Sequence, residues 1–244
     1  MNPQTYAEAE KLFKSVLKKV KNVRGVEVVI CPPFVWLTDI SHKYRKEIGF
    51  GAQDVFWEER GAYTGEISPK MLLSSGVKYV IIGHSERRAT GETDEVINKK
   101  VKTALRSGLK IILCVGEPLS VRKKGLAAAK KFVKNQLRED LKGIGNKELG
   151  IKNLVVAYEP VWAISSRSGG KSDTPEDAVE MACFIKEVLD SLFMIRDYRV
   201  LYGGSVNAKN AKDFLSPEEI DGALVGKASL NASEFAKIVR TALN

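Results

Sequence analysis

Two side chains in this sequence could move or hold protons, and two glycine-rich turns could hold an anion. Glu159 follows the apolar run Leu154–Ala157 and Tyr158, and Pro160 prevents that strand from continuing as a paired central strand. A long polar and glycine segment, Ser165–Asp173, comes next. A carboxylate at a strand end beneath such a loop has the form of a gated general base; its ordinary alternative is a solvated charge at an αβ boundary. His84 follows Tyr79-Val-Ile-Ile-Gly83 and stands beside Glu86 and Arg87. A following helical turn would lower its pKa, whereas a lone histidine is commonly structural. Gly203-Gly204-Ser205 and Val225-Gly226-Lys227-Ala228-Ser229 each end a strand, where glycines let backbone N–H groups approach a phosphate. Either turn alone is weak evidence. Both together, after strands whose predecessors end in a carboxylate and a histidine, point to one site.

The elements that must position these groups alternate. Thr5 and Glu8 form a capping pattern ahead of an apolar stripe reaching Val20, so the chain opens with a helix. Strands are expected at Val26–Pro32, Phe50–Asp54, Tyr79–Gly83, Lys110–Val115, Leu154–Tyr158, Arg199–Tyr202 and Gly222–Val225. Helices are expected at Trp36–Glu47, Pro69–Ser75, Asp94–Ser107, Leu119–Leu141, Pro175–Leu192, Ala208–Leu215 and Ser233–Ala242. A long loop spans Gln53–Ser68. Seven strands alternating with about eight helices imply one α/β domain over residues 1–244, with a parallel sheet and right-handed crossovers. Pattern alone leaves an open doubly wound sheet and a closed barrel standing. The G-x-G-x-x-G fingerprint after the first strand is absent, which weakens the open sheet.

Composition narrows the partners. The net charge of +9 raises nucleic acid, but Lys11, Lys14, Lys18 and Lys19 alternate with Leu12, Phe13, Val16 and Leu17 as on a solvated helix face. No RNA motif with interleaved aromatics occurs, so small anions are the preferred partner. No apolar run reaches the ~20 residues of a membrane span, and no signal peptide is evident. Cys31, Cys114 and Cys183 have no metal-like spacing, and cytoplasmic location is the default expectation.

The chain resembles the triosephosphate isomerase family from Met1 to Asn244. The resemblance is carried by Gly51-Ala-Gln53, Ala62-Tyr-Thr-Gly-Glu-Ile-Ser68, Tyr79–Arg88, Cys114-Val-Gly-Glu117, Ala157–Ile164, Tyr202-Gly-Gly-Ser-Val206 and Asp221-Gly-Ala-Leu-Val-Gly226. It implies a (β/α)8 TIM barrel, a homodimer, and cofactor-free, metal-free interconversion of dihydroxyacetone phosphate and glyceraldehyde 3-phosphate through an enediolate. By resemblance Glu159 is the base, His84 the neutral electrophile, and Glu86 the carboxylate beside them. Gly204, Ser205, Gly226 and Lys227 would bind phosphate. Pro160, Val161 and Trp162 match the lid hinge, and Thr64 the residue inserted into a partner subunit.

Three departures accompany the resemblance. The family opens with a strand ending N-x-K-M-N, whose asparagine and lysine line the site; here Met1-Asn2 matches the last two letters. The expectation is therefore a barrel lacking its first strand, with two unpaired edges and a partly empty inner layer. Either translation was assigned to an internal methionine, or this is a truncated paralogue, silent in catalysis and serving as a phosphate-ligand binder or scaffold. As written, the chain is expected to be poorly stable and weakly active or inactive. The lid segment is about three residues longer than the family's, leaving Ser168, Gly169 and Gly170 as candidates for phosphate contact. Lys227 replaces a glycine, and its N–H still donates if its backbone angles suit a non-glycine residue.

Overall fold

The fold is taken from a computed structural model, which describes residues 2–146, 153–164, 173–194 and 198–243. Strands β1 (Val29–Ile30), β2 (Gly49–Ala52), β3 (Tyr79–Ile82), β4 (Lys110–Val115), β5 (Leu154–Tyr158), β6 (Arg199–Tyr202) and β7 (Gly222–Ala223) pair in sequence order, all parallel. The sheet curls into an incomplete barrel. Ten α-helices are described: α1 (Tyr6–Val20), α2 (Phe34–Tyr44), α3 (Pro69–Ser74), α4 (Ser85–Ala89), α5 (Asp94–Arg106), α6 (Leu119–Arg122), α7 (Leu126–Asp140), α8 (Pro175–Phe193), α9 (Ala211–Leu215) and α10 (Ala232–Thr241).

Alternation along the strands builds two apolar layers. Val80, Ile82, Ile111, Leu113, Val156 and Val200 face the helices, while Tyr79, Ile81, Ile112, Cys114 and Ala157 form the inner cluster. Both faces are buried, which is why these strands read as continuous apolar runs. The lysine face of α1 is exposed as its spacing requires, while Phe13, Val16, Leu17 and Val20 are buried.

The seven-strand expectation holds, but its outer members are shorter than the sequence implies. Val26–Pro32 yields two paired residues and Gly222–Val225 yields two. Each lies at an edge with one paired neighbour among the described residues, so cross-strand bonds support only a short stretch. Between these edges lies a cavity of about 1800 Å³, lined by Val26, Val28, Ile30, Leu224 and Val225 and by helix residues such as Phe13 and Phe235. The helix expected over Leu119–Leu141 is two helices, because Gly125 at φ 100° breaks it. That split and the short α4 account for the helix count exceeding eight.

A buried ion network ties the turn after β3 to the loop after β2. Lys100 of α5 is 3% exposed and donates to both Asp54 oxygens at 2.7 and 2.9 Å and to Glu92. Arg87 joins the same two carboxylates at 2.9 and 3.1 Å. Burial pushes the Asp54 carboxyl up, and Lys100 opposes that shift. Lys100→Met would leave these acids without their buried cation, and should cost about 3–5 kcal/mol of unfolding free energy. A urea titration checks this; a midpoint matching the parent would show that Arg87 suffices alone.

Candidate active site

The site lies at the C-terminal ends of the strands, the usual location in parallel α/β folds. Glu159 directly follows β5, and its backbone is fixed on both sides. Its N–H donates to the Val115 carbonyl at 2.8 Å, and its carbonyl sits where a Cβ on Gly116 would lie 1.8 Å away. A Cβ on Gly203 would meet the Glu159 Cγ at 2.7 Å. Glycine at 116 and 203 therefore creates the slot in which this side chain lies, 2% exposed. The carboxylate accepts from the Ser85 N–H at 3.0 Å and from His84 Nε2 at 3.1 Å.

His84 is the N-cap of α4, and its Nδ1 accepts from the Glu86 N–H at 3.2 Å. That backbone donor holds Nδ1 unprotonated and assigns the ring hydrogen to Nε2, the atom facing Glu159. Burial pushes the imidazole pKa down, the Glu159 bond and the Glu159 and Glu86 charges push it up, and the balance is upward. The upward part depends largely on Glu159. Once that carboxylate turns to another partner, burial and the Glu86 N–H remain to favour the neutral ring. Glu86 acts on the ring through its N–H and, less than Glu159, through its charge; its carboxylate is mostly exposed and 4.0 Å from Nδ1.

The two turns line the same cavity as His84, Glu86 and Glu159. Ser205 Oγ donates to the Ala163 carbonyl at 2.8 Å, so the hydroxyl ties its turn to the chain leaving β5. Its carbonyl accepts from Asn210 Nδ2 at 2.9 Å. Gly226 and Lys227 open a 3-10 turn over Lys227–Leu230. Met194 is the non-glycine residue with positive φ among those described, so Lys227 takes its place without left-handed strain.

Pro160 is buried, and Val161–Ala163 form a 3-10 turn anchored by Glu117. The fully buried Glu117 carboxylate accepts from Trp162 Nε1 at 2.8 Å and from the Tyr158 hydroxyl at 3.1 Å, and its carbonyl accepts from the Val161 N–H at 3.2 Å. Arg122 lies 5.1 Å from the Trp162 ring centroid and bonds Asp177. Ser168, Gly169 and Gly170 lie outside the described residues. Thr64 is not among the residues lining the cavity and is exposed in the loop of residues 53–68.

Comparison with known proteins decides the affiliation. The family model for triosephosphate isomerase matches residues 1–242. The chain belongs to that family. A triosephosphate isomerase of Thermoanaerobacter pseudethanolicus is 50% identical over 96% of this chain and 94% of its own length. Those of Caldanaerobacter subterraneus subsp. tengcongensis and Dictyoglomus thermophilum are 48% and 45% identical, over 97% and 98% of this chain and 94% and 95% of theirs. The family makes this chain an isomerase. No helix among the described residues is long and apolar enough to cross a membrane.

The sequence motifs thus locate His84, Glu159 and both turns in one cavity. Sequence reasoning missed their supports. Glu117 stood within a matched segment without a role, and its signal is Trp162 at the hinge needing a buried acceptor. Arg88 bonds the Gly83 carbonyl at 2.8 Å and the buried Asp140 at 2.6 Å; no local spacing marks that pair.

Proposed function

We propose that this chain interconverts dihydroxyacetone phosphate and glyceraldehyde 3-phosphate, with Glu159 as base and His84 as neutral electrophile. The observation that carries the reading is the 3.1 Å contact between His84 Nε2 and Glu159 in a cavity also lined by both glycine turns. Glu159 would take a proton from the carbon beside the carbonyl. The C–H electron pair then forms the enediolate double bond, and the carbonyl oxygen takes the charge, stabilised by the Nε2–H of His84. The hydroxyl proton of the first carbon must also pass to the newly charged oxygen, a transfer that His84 Nε2 would relay. Return of the proton from Glu159 to the neighbouring carbon then completes the isomerisation with no cofactor consumed.

Backbone N–H groups around Gly204, Ser205, Gly226 and Lys227 would hold the phosphate, since the Ser205 hydroxyl already donates within the protein. Glu86 would keep its N–H on His84. Pro160, Val161 and Trp162 would be the hinge through which residues 165–173 exclude water from the enediolate. Assembly as a homodimer fits the exposed loop bearing Thr64, with Tyr63 beside it 44% exposed, and the family's usual cytoplasmic location is the one expected for this chain. Turnover of glyceraldehyde 3-phosphate, coupled to reduction of the ketone product, tests the reading. Turnover should exceed the uncatalysed rate and show competition by sulfate; a rate equal to the blank at all substrate concentrations would sink it.

A further inference from the structure

Asp173 is the buried acid that the proposed mechanism leaves unused. It immediately precedes Thr174, the N-cap of α8, and is 6% exposed. Among the described residues neither carboxyl oxygen makes a fully formed hydrogen bond, although the Thr174 N–H and the Tyr202 hydroxyl stand near them. A buried carboxylate can only accept, so two oxygens this poorly partnered are costly unless the group holds a proton.

The groups facing Asp173 come from five elements. Asp177 and the Thr174 N–H belong to the start of α8, Glu117 follows β4, Arg122 lies on α6, Tyr158 ends β5 and Tyr202 ends β6. Arg122 is the cation in this set, and it already bonds Asp177 and stands 3.9 Å from Glu117. Three carboxyls thus share one guanidinium. Burial first, then the Asp177 charge, push the Asp173 carboxyl up to about 7, against the pull of Arg122.

Tyr202 connects this acid to the substrate side. Its ring is stacked on Phe214 at 4.3 Å and 5°, which fixes its plane. Its hydroxyl lies beside Asp173 at one end, and 2.2 Å from where a Cβ on Gly204 would stand. The turn therefore rests directly on the tyrosine oxygen.

We propose that Asp173 is a positioning residue whose proton sets the affinity of the Gly203-Gly204-Ser205 turn for the substrate's phosphate, acting through Tyr202. In the neutral form the carboxyl O–H donates to the Tyr202 oxygen and supports it beneath Gly204. After proton loss the carboxylate instead draws the tyrosine O–H toward itself, and a negative charge lies behind the turn that must hold a dianion. This inference rests on the reading that the turn binds phosphate.

Sulfate is the probe, because it stays dianionic throughout the range tested. Its inhibition constant against triose phosphate turnover should rise about fivefold from pH 6 to 8.5, the size expected from one like charge brought near a partly solvated anion. In Asp173→Asn that rise should vanish, with the constant staying at its low-pH value; His84 and Lys227 are unchanged in both proteins and cannot account for the difference. Stability gives a second readout. A raised carboxyl pKa means that the folded state holds the proton longer than the unfolded chain, so the parent loses stability as pH rises toward 7. The melting temperature of Asp173→Asn should therefore gain on the parent between pH 5 and 8. A flat sulfate profile in the parent, or the same rise in Asp173→Asn, overturns the inference. Gly204→Ala separates the two ideas: weaker sulfate binding by this variant keeps the phosphate turn even if Asp173 fails. Unaltered sulfate binding would remove both.

Discussion

Glu159→Asp lowers kcat about 100-fold and leaves KM within about threefold of the parent, because a reacting group misplaced by ~1 Å loses its attack geometry while binding contacts survive. Glu159→Gln, which keeps the length and removes the base, lowers kcat by about 10²–10⁴. The size of the first effect follows from how tightly the residue is framed. The backbone cannot advance to recover the lost methylene: its N–H is bonded to Val115, its carbonyl is pressed against Gly116, and the side chain fills the slot beside Gly203. The carboxylate in this structure is committed to Ser85 N–H and His84, so the proposed catalysis requires it to turn toward substrate by side-chain rotation alone. Aspartate has less reach for that rotation. Steady-state kinetics with both triose phosphates measure this, and a kcat within about twofold of the parent for Glu159→Gln would remove Glu159 from the proton transfer.

The distinction between His84 and Glu159 on one side and Asp173 and Lys100 on the other explains what the sequence could disclose. His84 and Glu159 each end an apolar strand, so their type and their position at the sheet's C-terminal edge are both local facts. Their meeting at 3.1 Å needs only β3, β4 and β5 to be consecutive neighbours, which the alternation of elements already implies. Lys100 is different. In the sequence it sits among Lys99 and Lys102 on a helix whose lysines belong to water, and its acids are Glu92 and Asp54, the latter 46 positions away. Only docking of α5 against the loop after β2 turns it inward. Asp173 reads as the last polar residue of a loop; its burial depends on β6 placing Tyr202 beside it. Helix boundaries show the same division. Thr5, Thr93 and Thr174 cap their helices as the local pattern says, each accepting from the N–H three residues on. The short β1 and β7 depend on what lies beside them, which no local pattern contains.

Those two edges carry the second large prediction. Joining before Met1 an apolar strand that ends in the family's N-x-K pattern should raise both the melting temperature and kcat/KM. Val28 and Ile30 on one side, and Leu224 and Val225 on the other, border the cavity, while Phe13 of α1 and Phe235 of α10 close it from outside. A strand seated there pairs with both edges and buries four or five apolar side chains, each contributing about 1.5–3 kcal/mol. Ordering some ten residues costs about 1–2 kcal/mol apiece, so the side chains alone do not offset it. Relief of the apolar surface already facing the cavity supplies the rest, on the order of 25 cal/mol for each Å² removed from water. A net gain of about 3 kcal/mol would raise the melting temperature by roughly 6–12 °C in a chain of this size. The lysine acts separately. Placed at the strand's C-terminal end beside Glu159 and His84, it supplies positive charge where the enediolate and phosphate develop or carry negative charge, an effect of about 10²–10³ in rate. An otherwise identical extension with methionine in place of the lysine splits the two contributions: the thermal gain should persist and the rate gain should not. If neither quantity moves with the full extension, the cavity between β1 and β7 is not a strand site.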